Sequence, residues 1–163
     1  MIMFVTTCFH VCFRLVGVRL YNKSMDEPYF SCPIEVRYGD LDPQGHVNNA
    51  NFLTYLEQAR VNYLIRLGLF KEGQAFFDVG IILAEAQITF LSPILFGMKV
   101  VVEVRVTRLG NKSMDMAYRI VESVTGTQLA QASTTLVTFD YHVNKTILIP
   151  VGWREKISAF EKM

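Results

Sequence analysis

Two carboxylates stand just before a predicted helix in the segment YGDLDPQGHVNNANFL, residues 38–53. Asp40 and Asp42 are followed by Pro43, Gly45 and several asparagines, the residue types of a polar turn that leads into a helix. A carboxylate can attack a carbonyl carbon or activate water, and the unpaired N–H groups of a first helical turn can stabilise negative charge on an oxygen. The segment therefore holds the groups that a hydrolytic site would need.

The same residues also have an ordinary structural interpretation. An Asp before a Pro-x-Gly turn commonly accepts hydrogen bonds from nearby backbone, and we expect Asp40 to shape the loop in this way. His46 has no acid partner in a triad pattern, so a role as a turn residue is the simplest one for it. From the residues alone, Asp42 can be either a turn residue or a catalytic one.

Composition indicates one compact globular domain. The 163 residues are 51% hydrophobic and 19% charged, with a formal net charge of +1, which excludes a disordered chain and a strongly basic nucleic-acid binder. The three cysteines indicate neither a disulfide framework nor a metal site, and a reducing compartment is the default. No P-loop, dinucleotide-binding glycine pattern or G-x-S-x-G elbow is present.

The N-terminal segment differs from the rest of the chain. Residues 1–20 are apolar but interrupted by one histidine and two arginines, so they lack the roughly 18 uncharged residues of a membrane-spanning helix. Their positive charges follow the apolar run instead of preceding it, which argues against a secretory signal, while the lack of acidic residues before Asp26 leaves a transit peptide as an alternative. We predict a cytoplasmic protein with an N-terminal extension, residues 1–24, and a single domain, residues 25–163.

Hydrophobic periodicity predicts one long helix among strands. Alternation predicts a strand over residues 33–39, and apolar residues every three or four positions predict a helix from about Asn49 to Leu67. Asn48 and Asn49 mark its start and Gly68 its end. Further alternation predicts strands over residues 84–90, 100–106, 114–120 and 129–140, followed by a short strand and a small helix near the C-terminus.

One helix cannot cover both faces of a flat sheet of five or more strands. We therefore predict an α+β architecture in which a curved antiparallel sheet wraps around the helix. Leu53 and Leu64 lie off the main apolar stripe of the helix, which predicts that the helix is enclosed on several sides.

The segments VRYGDLDPQGHVNNANFLTYLEQARVNYL and AEAQITFLSPILFGMKVVVEVRVTRLGNKSMDMAYRIV resemble hotdog-fold acyl-CoA thioesterases of the 4-hydroxybenzoyl-CoA thioesterase type. The resemblance covers about residues 33–140, and the motif consists, in the family's order and spacing, of Tyr38, Asp40, Asp42, Gly45, His46, Val47 and Asn48. It implies a hotdog fold, a homodimer or dimer-based homotetramer with sheets joined edge to edge, and hydrolysis of acyl-CoA at a site shared between subunits.

The resemblance also implies roles for individual residues. Asp42 matches the family's catalytic Asp, as nucleophile or general base, and Asn49 matches the position whose backbone N–H polarises the thioester carbonyl. Asn48 or His46 would position water or the acyl group. Glu57 matches a helix position where some relatives place an acidic residue near the acyl group, with a surface ion pair to Arg60 as its alternative.

Coenzyme A carries several phosphate charges, so its site needs local cations. The segment RLGNKS, which contains Arg108, Lys112 and Ser113, looks like the family segment that meets the nucleotide end. The alternative is a solvated hairpin tip. Tyr38 and Gly45 belong to the motif and are expected to bind substrate.

Three other activities stay open from the sequence. The substrate carrier could be acyl carrier protein, or the chain could be a binding module without catalysis, although a retained Asp42 argues against the second. A hotdog dehydratase is disfavoured because the surroundings of His46 resemble the thioesterase turn. The acyl chain is not determined: the candidates for an adaptable apolar pocket, for each of which core packing is the better interpretation, are Phe76, Phe77, Met98 and Met116. The predicted mechanism needs no cofactor or metal.

Overall fold

The computed structural model describes residues 29–71, 73 and 80–163. Its elements are, in chain order, β1 (Phe30–Ile34), a 3-10 turn (Tyr38–Asp40), α1 (Asn49–Arg66), β2 (Ile81–Phe90), β3 (Val100–Leu109), β4 (Ser113–Glu122), β5 (Gln128–Asp140), β6 (Lys145–Thr146) and α2 (Val151–Glu161). The predicted order of one strand, one long helix, a run of strands and a small final helix is confirmed. The predicted extension, residues 1–24, lies outside the described residues.

The strands form one antiparallel sheet in the order β1-β3-β4-β5-β2, with β6 added to β5. The sheet curves around α1, as predicted. Alternate residues of β3 and β4 face the helix because side chains alternate along a strand. The buried residues of these two strands that follow this alternation are Val100, Val102, Val104, Val106, Met114, Met116, Tyr118 and Ile120.

Helix α1 begins and ends where the sequence predicts. The Asn48 side chain accepts a hydrogen bond from the Ala50 N–H at 2.9 Å and so caps the first turn. Gly68, after the last turn, has a φ of +62°, the left-handed conformation in which glycine commonly follows a helix. Leu64 is buried as expected, but Leu53 is 43% exposed. In the single chain, the first half of the helix therefore has an uncovered side and is not enclosed all round.

Strand β1 differs from its prediction. The alternating pattern predicts a strand over residues 33–39, but pairing with β3 runs only from Phe30 to Ile34. Tyr38–Asp40 instead forms a 3-10 turn, because the Asp40 carboxylate accepts the Arg37 backbone N–H at 3.0 Å and folds the chain back on itself. Pro33 fits within β1 because β1 is at the edge of the sheet.

Helix α2 holds the far end of α1 against the sheet. Its last residue, Glu161, is 5% exposed and accepts hydrogen bonds from the Tyr63 hydroxyl of α1 at 2.8 Å and from the Val106 N–H of β3 at 2.9 Å. Within the part of the chain that the structure describes, β1 pairs with β3 as far as Val104, and at Val106 the carboxylate of Glu161 accepts the backbone N–H. Arg105 lies 3.7 Å from the same carboxylate.

We expect Glu161→Ala to lower the free energy of unfolding by about 3–5 kcal/mol, because it removes one partner of a buried, charged, hydrogen-bonded group. Chemical denaturation would measure the loss. Glu155→Ala, on an exposed position of the same helix, is the matched control and should change stability by no more than about 0.5 kcal/mol. Equal effects of the two substitutions would contradict this role of Glu161.

Candidate active site

Asp42 forms the turn that its sequence context predicts. Its Oδ1 accepts hydrogen bonds from the N–H of Gln44 at 2.8 Å and of His46 at 3.2 Å, and its carbonyl accepts the Gly45 N–H at 3.0 Å. Gly45 has a φ of +80°, which glycine adopts without strain. Oδ2 of Asp42 accepts no hydrogen bond from the described residues. Turn formation thus occupies one carboxylate oxygen and leaves the other available.

The loop between β2 and β3 supports the Asp42 turn. The Val47 N–H donates to the Ile94 carbonyl at 2.8 Å, and His46 pairs with Leu95 in an antiparallel bridge. Val47 and Ile94 are both buried. His46 contributes to the turn through its backbone: its N–H donates to Asp42, and its carbonyl accepts the Asp42 N–H at 2.8 Å. The polar turn is therefore attached to the hydrophobic core through Val47 and Ile94.

The start of α1 follows the turn directly. The Ala50 N–H donates to the Asn48 side chain, and the Asn51 N–H donates to the Asn48 carbonyl at 2.9 Å. The N–H of Asn49, which is exposed, has no acceptor among the described residues. The first N–H groups of a helix have no acceptor within the helix. Here Asn48 accepts those of Ala50 and Asn51 but not that of Asn49. The Asn49 N–H is left as a donor at the positive end of the helix dipole.

Asp40 connects the turn to the helix. Its carboxylate accepts the Arg37 backbone N–H, the Arg37 guanidinium Nη2 at 2.8 Å and the Tyr55 hydroxyl at 2.8 Å. Its carbonyl oxygen accepts the Asn48 N–H and the Asn51 side-chain amide, both at 2.8 Å. The side chain of Asp40 is 4% exposed, whereas that of Arg37 is 65% exposed. One residue therefore bonds to the 3-10 turn, the helix cap and the helix core.

These contacts shift the pKa values of the Asp40 and Tyr55 side chains. Burial alone would raise the pKa of Asp40, but the hydrogen bonds from Arg37 and Tyr55 outweigh it and hold that pKa below its ordinary value. Burial and the neighbouring carboxylate raise the pKa of Tyr55. Tyr55 was not among the site residues predicted from the sequence. A signal was present, because a tyrosine three residues after Phe52 on the apolar side of a helix needs a partner for its hydroxyl.

Tyr38 lies on the surface beside the turn and is 80% exposed. Its ring meets that of Phe96 edge to face, with centroids 6.2 Å apart and an interplanar angle of 89°. Phe96 is 61% exposed, and Leu91 and Leu95 of the same loop are also exposed. An exposed apolar surface thus adjoins the polar Asp42 turn, and Phe96 was not predicted from the sequence to belong to it.

Glu57 lies further along α1. Eight residues separate it from Asn49, which is about 12 Å along the helix axis. Its side chain is 57% exposed and accepts a hydrogen bond from Arg60 Nη2 at 3.4 Å. The ion pair predicted from the sequence as its alternative role is therefore present.

The predicted nucleotide-binding cations have partners within the chain. Arg108 makes a two-pronged ion pair with Asp115, and Lys112 Nζ donates to the carbonyl and hydroxyl of Thr146 at 3.2 and 3.3 Å. The Ser113 carbonyl accepts the Gly110 N–H across the turn at 2.8 Å. Arg108 and Asp115 also line a cavity of about 410 Å³ that includes no residue of the Asp42 turn.

Within one chain, these cations and Asp42 lie at opposite ends of the sheet. The end of β1 that leads to Asp42 pairs with Val100, the first residue of β3, whereas the turn with Lys112 follows Leu109, the last residue of β3. Ten strand residues span about 33 Å. The structure therefore brings Tyr38, Gly45, His46, Asn48 and Asn49 around Asp42 but does not bring Arg108, Lys112 and Ser113 there.

The candidate acyl-pocket residues differ in their surroundings. Met116 is fully buried in the core, and Met98 is half-buried, with its sulfur accepting the Leu95 N–H at 3.3 Å. Phe76 and Phe77 lie outside the described residues. Among residues 29–71, 73 and 80–163, no group of three or more His, Cys, Asp or Glu side chains could hold a metal ion. In the same ranges, no helix has the length and apolarity needed to cross a membrane.

A curved antiparallel sheet around one long helix, with an Asp-containing turn leading into that helix, defines a hotdog-fold thioesterase. The chain belongs to the Thioesterase-like superfamily, whose sequence profile matches residues 36–158. It is therefore a thioester hydrolase.

Individual proteins that are similar to this chain are also named as thioesterases. The long-chain acyl-CoA thioesterase FadM of Escherichia coli strain K12 is 27% identical over 129 residues, which are 79% of this chain and 97% of FadM. A thioesterase from Thermus thermophilus, solved with coenzyme A and Zn, is 33% identical with a TM-score of 0.71, covering 82% of this chain and 95% of that one. A 1,4-dihydroxy-2-naphthoyl-CoA thioesterase from Synechocystis, 24% identical with a TM-score of 0.71 over 78% of this chain and 94% of its own, shares the fold.

The lowered pKa of Asp40 makes a prediction about stability and pH. A carboxyl whose pKa is lower in the folded state stabilises the fold above its ordinary pKa, and this contribution is lost as the pH falls through the folded value. We expect the free energy of unfolding to fall below about pH 4 and Asp40→Asn to make that fall shallower. Urea denaturation at pH 7 and at pH 3 measures this, and an equal fall in both proteins would contradict it.

Proposed function

We propose that the protein hydrolyses an acyl-CoA thioester to the free carboxylic acid and CoA. One observation carries the proposal: at the junction of the turn and α1, a carboxylate oxygen of Asp42 and the N–H of Asn49 both lack partners among the described residues. A thioester hydrolase needs such a base or nucleophile beside a donor for the carbonyl oxygen. FadM and the Thermus protein, named with acyl-CoA and coenzyme A, support this carrier.

The proposed chemistry uses residues of the chain alone. In the general-base route, Asp42 takes a proton from water as the water oxygen attacks the carbonyl carbon. In the nucleophilic route, Asp42 attacks instead and forms an acyl anhydride, which water then hydrolyses. In both, the negative carbonyl oxygen accepts the Asn49 N–H, and the C–S bond breaks to release CoA thiolate, which takes up a proton.

The other residues near Asp42 have supporting roles in this proposal. Gly45 and His46 hold the Asp42 carboxylate through the turn, and Asn48 directs the Asn49 N–H by capping the helix. Tyr38 stands at the mouth of the site with Phe96 and binds the substrate there. This exposed apolar surface and the name of FadM favour a long aliphatic acyl group.

We further propose that a second copy of the chain completes the site. Strand β2 is an edge strand of ten residues without proline, and its central residues 83–87 are exposed. Such an edge is open to pairing with another strand. The other edge, β1, has only five residues and contains Pro33.

Antiparallel pairing of two β2 strands about a two-fold axis would bring the cations of one copy to the Asp42 of the other. The Phe90 end of β2 lies at the Asp42 end of the sheet, and the Ile81 end lies near the turn that contains Lys112. A two-fold axis sets the Phe90 end of one copy beside the Ile81 end of the other. The turn with Arg108, Lys112 and Ser113 from one copy then approaches Asp42 of the other, where it binds the CoA phosphates. The assembly is a homodimer, or a homotetramer built from it.

We expect Asp42→Asn to lower kcat by about 10²–10⁴-fold, because it removes the base or nucleophile. CoA release, followed with a thiol reagent across short, long and aromatic acyl-CoAs, measures this and identifies the acyl class. Asp140→Asn is the matched control, since the Asp140 carboxylate also accepts two turn N–H groups, from His142 and Val143, at the end of β5. It should retain wild-type turnover. Full activity of Asp42→Asn would refute the mechanism, and turnover of acyl carrier protein substrates alone would reassign the carrier.

The shared site predicts complementation between two defective chains. Asp42→Asn alone and the double variant Arg108→Ala, Lys112→Ala alone should each be poorly active, the second through a raised KM. Co-expressed with different tags, they form mixed dimers with one intact site, so total activity should recover to about a quarter of the wild-type value. Absence of recovery in purified mixed dimers would contradict a site built from two chains.

A further inference from the structure

Asp40, a buried carboxylate that the proposed reaction does not use, lies two residues before Asp42. The Asp40 side chain is 4% exposed, and burying a charge is unfavourable unless hydrogen bonds replace its water. A loop-shaping Asp need not be fully buried: Asp42 and Asp140, which are only half-buried, accept their turn N–H groups in this way. The burial of Asp40 therefore needs a further reason.

That reason lies in the partner it reaches. Tyr55, in the second turn of α1 and 3% exposed, donates its hydroxyl to Asp40 Oδ2 at 2.8 Å. The carbonyl oxygen of Asp40 accepts the N–H of Asn48 and the side-chain amide of Asn51. Three positions of the first two turns of α1 and its cap are thus bonded to one residue of the neighbouring turn. The helix can neither rotate about its axis nor slide along it without breaking these bonds.

We propose that Asp40 and Tyr55 are positioning residues that hold the Asn49 N–H in register with Asp42. The inference rests on the proposed function, in which that N–H stabilises the carbonyl oxygen. The two groups belong to different elements, a turn and a helix, so their relative placement needs a link between them. A misplacement of about 1 Å can cost about 100-fold in rate, which gives such a link a large effect on kcat.

The chain contains a natural control for this link. Tyr63, eight residues later on α1, also donates its hydroxyl to a buried carboxylate at 2.8 Å, that of Glu161. Tyr55→Phe and Tyr63→Phe therefore remove the same kind of hydrogen bond from the same helix. Only the first bond lies at the end of the helix that meets Asp42.

The test compares these two variants in the full chain with acyl-CoA as substrate. We expect Tyr55→Phe to lower kcat about 10-fold or more with KM changed less than about two-fold, because the bond acts on the transition state and not on substrate binding. Tyr63→Phe should lose a similar amount of stability in urea and keep its kcat. Equal kcat in the two variants at equal stability would overturn the inference. If Tyr55→Phe does not fold, Arg37→Gln loosens Asp40 from the exposed side, and the same outcomes apply.

A second measurement does not depend on turnover. The Asn48 N–H is held by the Asp40 carbonyl, so its hydrogen exchange reports whether the helix start is fixed to the turn. We expect faster exchange at Asn48 and Asn51 in Tyr55→Phe but not in Tyr63→Phe; unchanged exchange would refute the link. If the wild-type protein and Asp42→Asn release CoA equally, the proposed function fails, while the exchange result still decides whether Asp40 and Tyr55 fix the helix start.

Discussion

The Asp40 carboxylate, taken out of water and bonded by donors from a turn and from a helix, determines how the two sides of the proposed site meet. Its hydrogen bonds are stronger than those between neutral groups because the acceptor is charged, and the low polarity around it strengthens them further. The pKa of Asp40 stays below its ordinary value in spite of burial, so the charged form persists at neutral pH. The carboxylate binds Arg37 and the Tyr55 hydroxyl of α1, while the backbone carbonyl of the same residue, two positions before Asp42, accepts the Asn48 N–H at the cap of α1.

Helix α1 is fixed at its two ends by the same kind of interaction. Tyr55 donates to Asp40 near the start, and Tyr63 donates to Glu161 toward the end. Packing of apolar side chains against the sheet, mainly against β1 and β3, gives the helix most of its stability, but such packing has little directional preference. The two tyrosine hydroxyls add direction, because each must reach a carboxylate at hydrogen-bonding distance. Together with the apolar stripe of α1, they fix the side of the helix that faces the sheet and the side, with Leu53 and Glu57, that stays uncovered.

Local patterns predicted most of the fold and the centre of the site. The bounds of α1 follow from its apolar spacing, its Asn48 cap and Gly68, all of which act within a few residues. The Asp42 turn follows from Asp, Pro and Gly in the same way. The bounds of β1 were wrong because Asp40 bonds back to Arg37, a local contact that the alternating pattern does not show. The contacts that the sequence analysis did not predict join distant residues: Tyr55 lies fifteen residues from Asp40, and Glu161 lies fifty-five residues from Val106.

The distance between Asp42 and the Lys112 turn has the same origin in topology. Both segments carry recognisable residue types, but only the antiparallel course of β3 shows that they occupy opposite ends of one sheet. A single chain therefore holds an acid and a donor at one end, and its cations at the other. In the proposed dimer, pairing of two chains through β2 brings the cations of each chain to the Asp42 of the other. The two-fold axis makes the two resulting sites equivalent. The acid and the helix start must be aligned to a fraction of an ångström, and one chain aligns them through Asp40. The phosphate contacts tolerate more movement because charge attraction falls slowly with distance, so they can be left to a second chain.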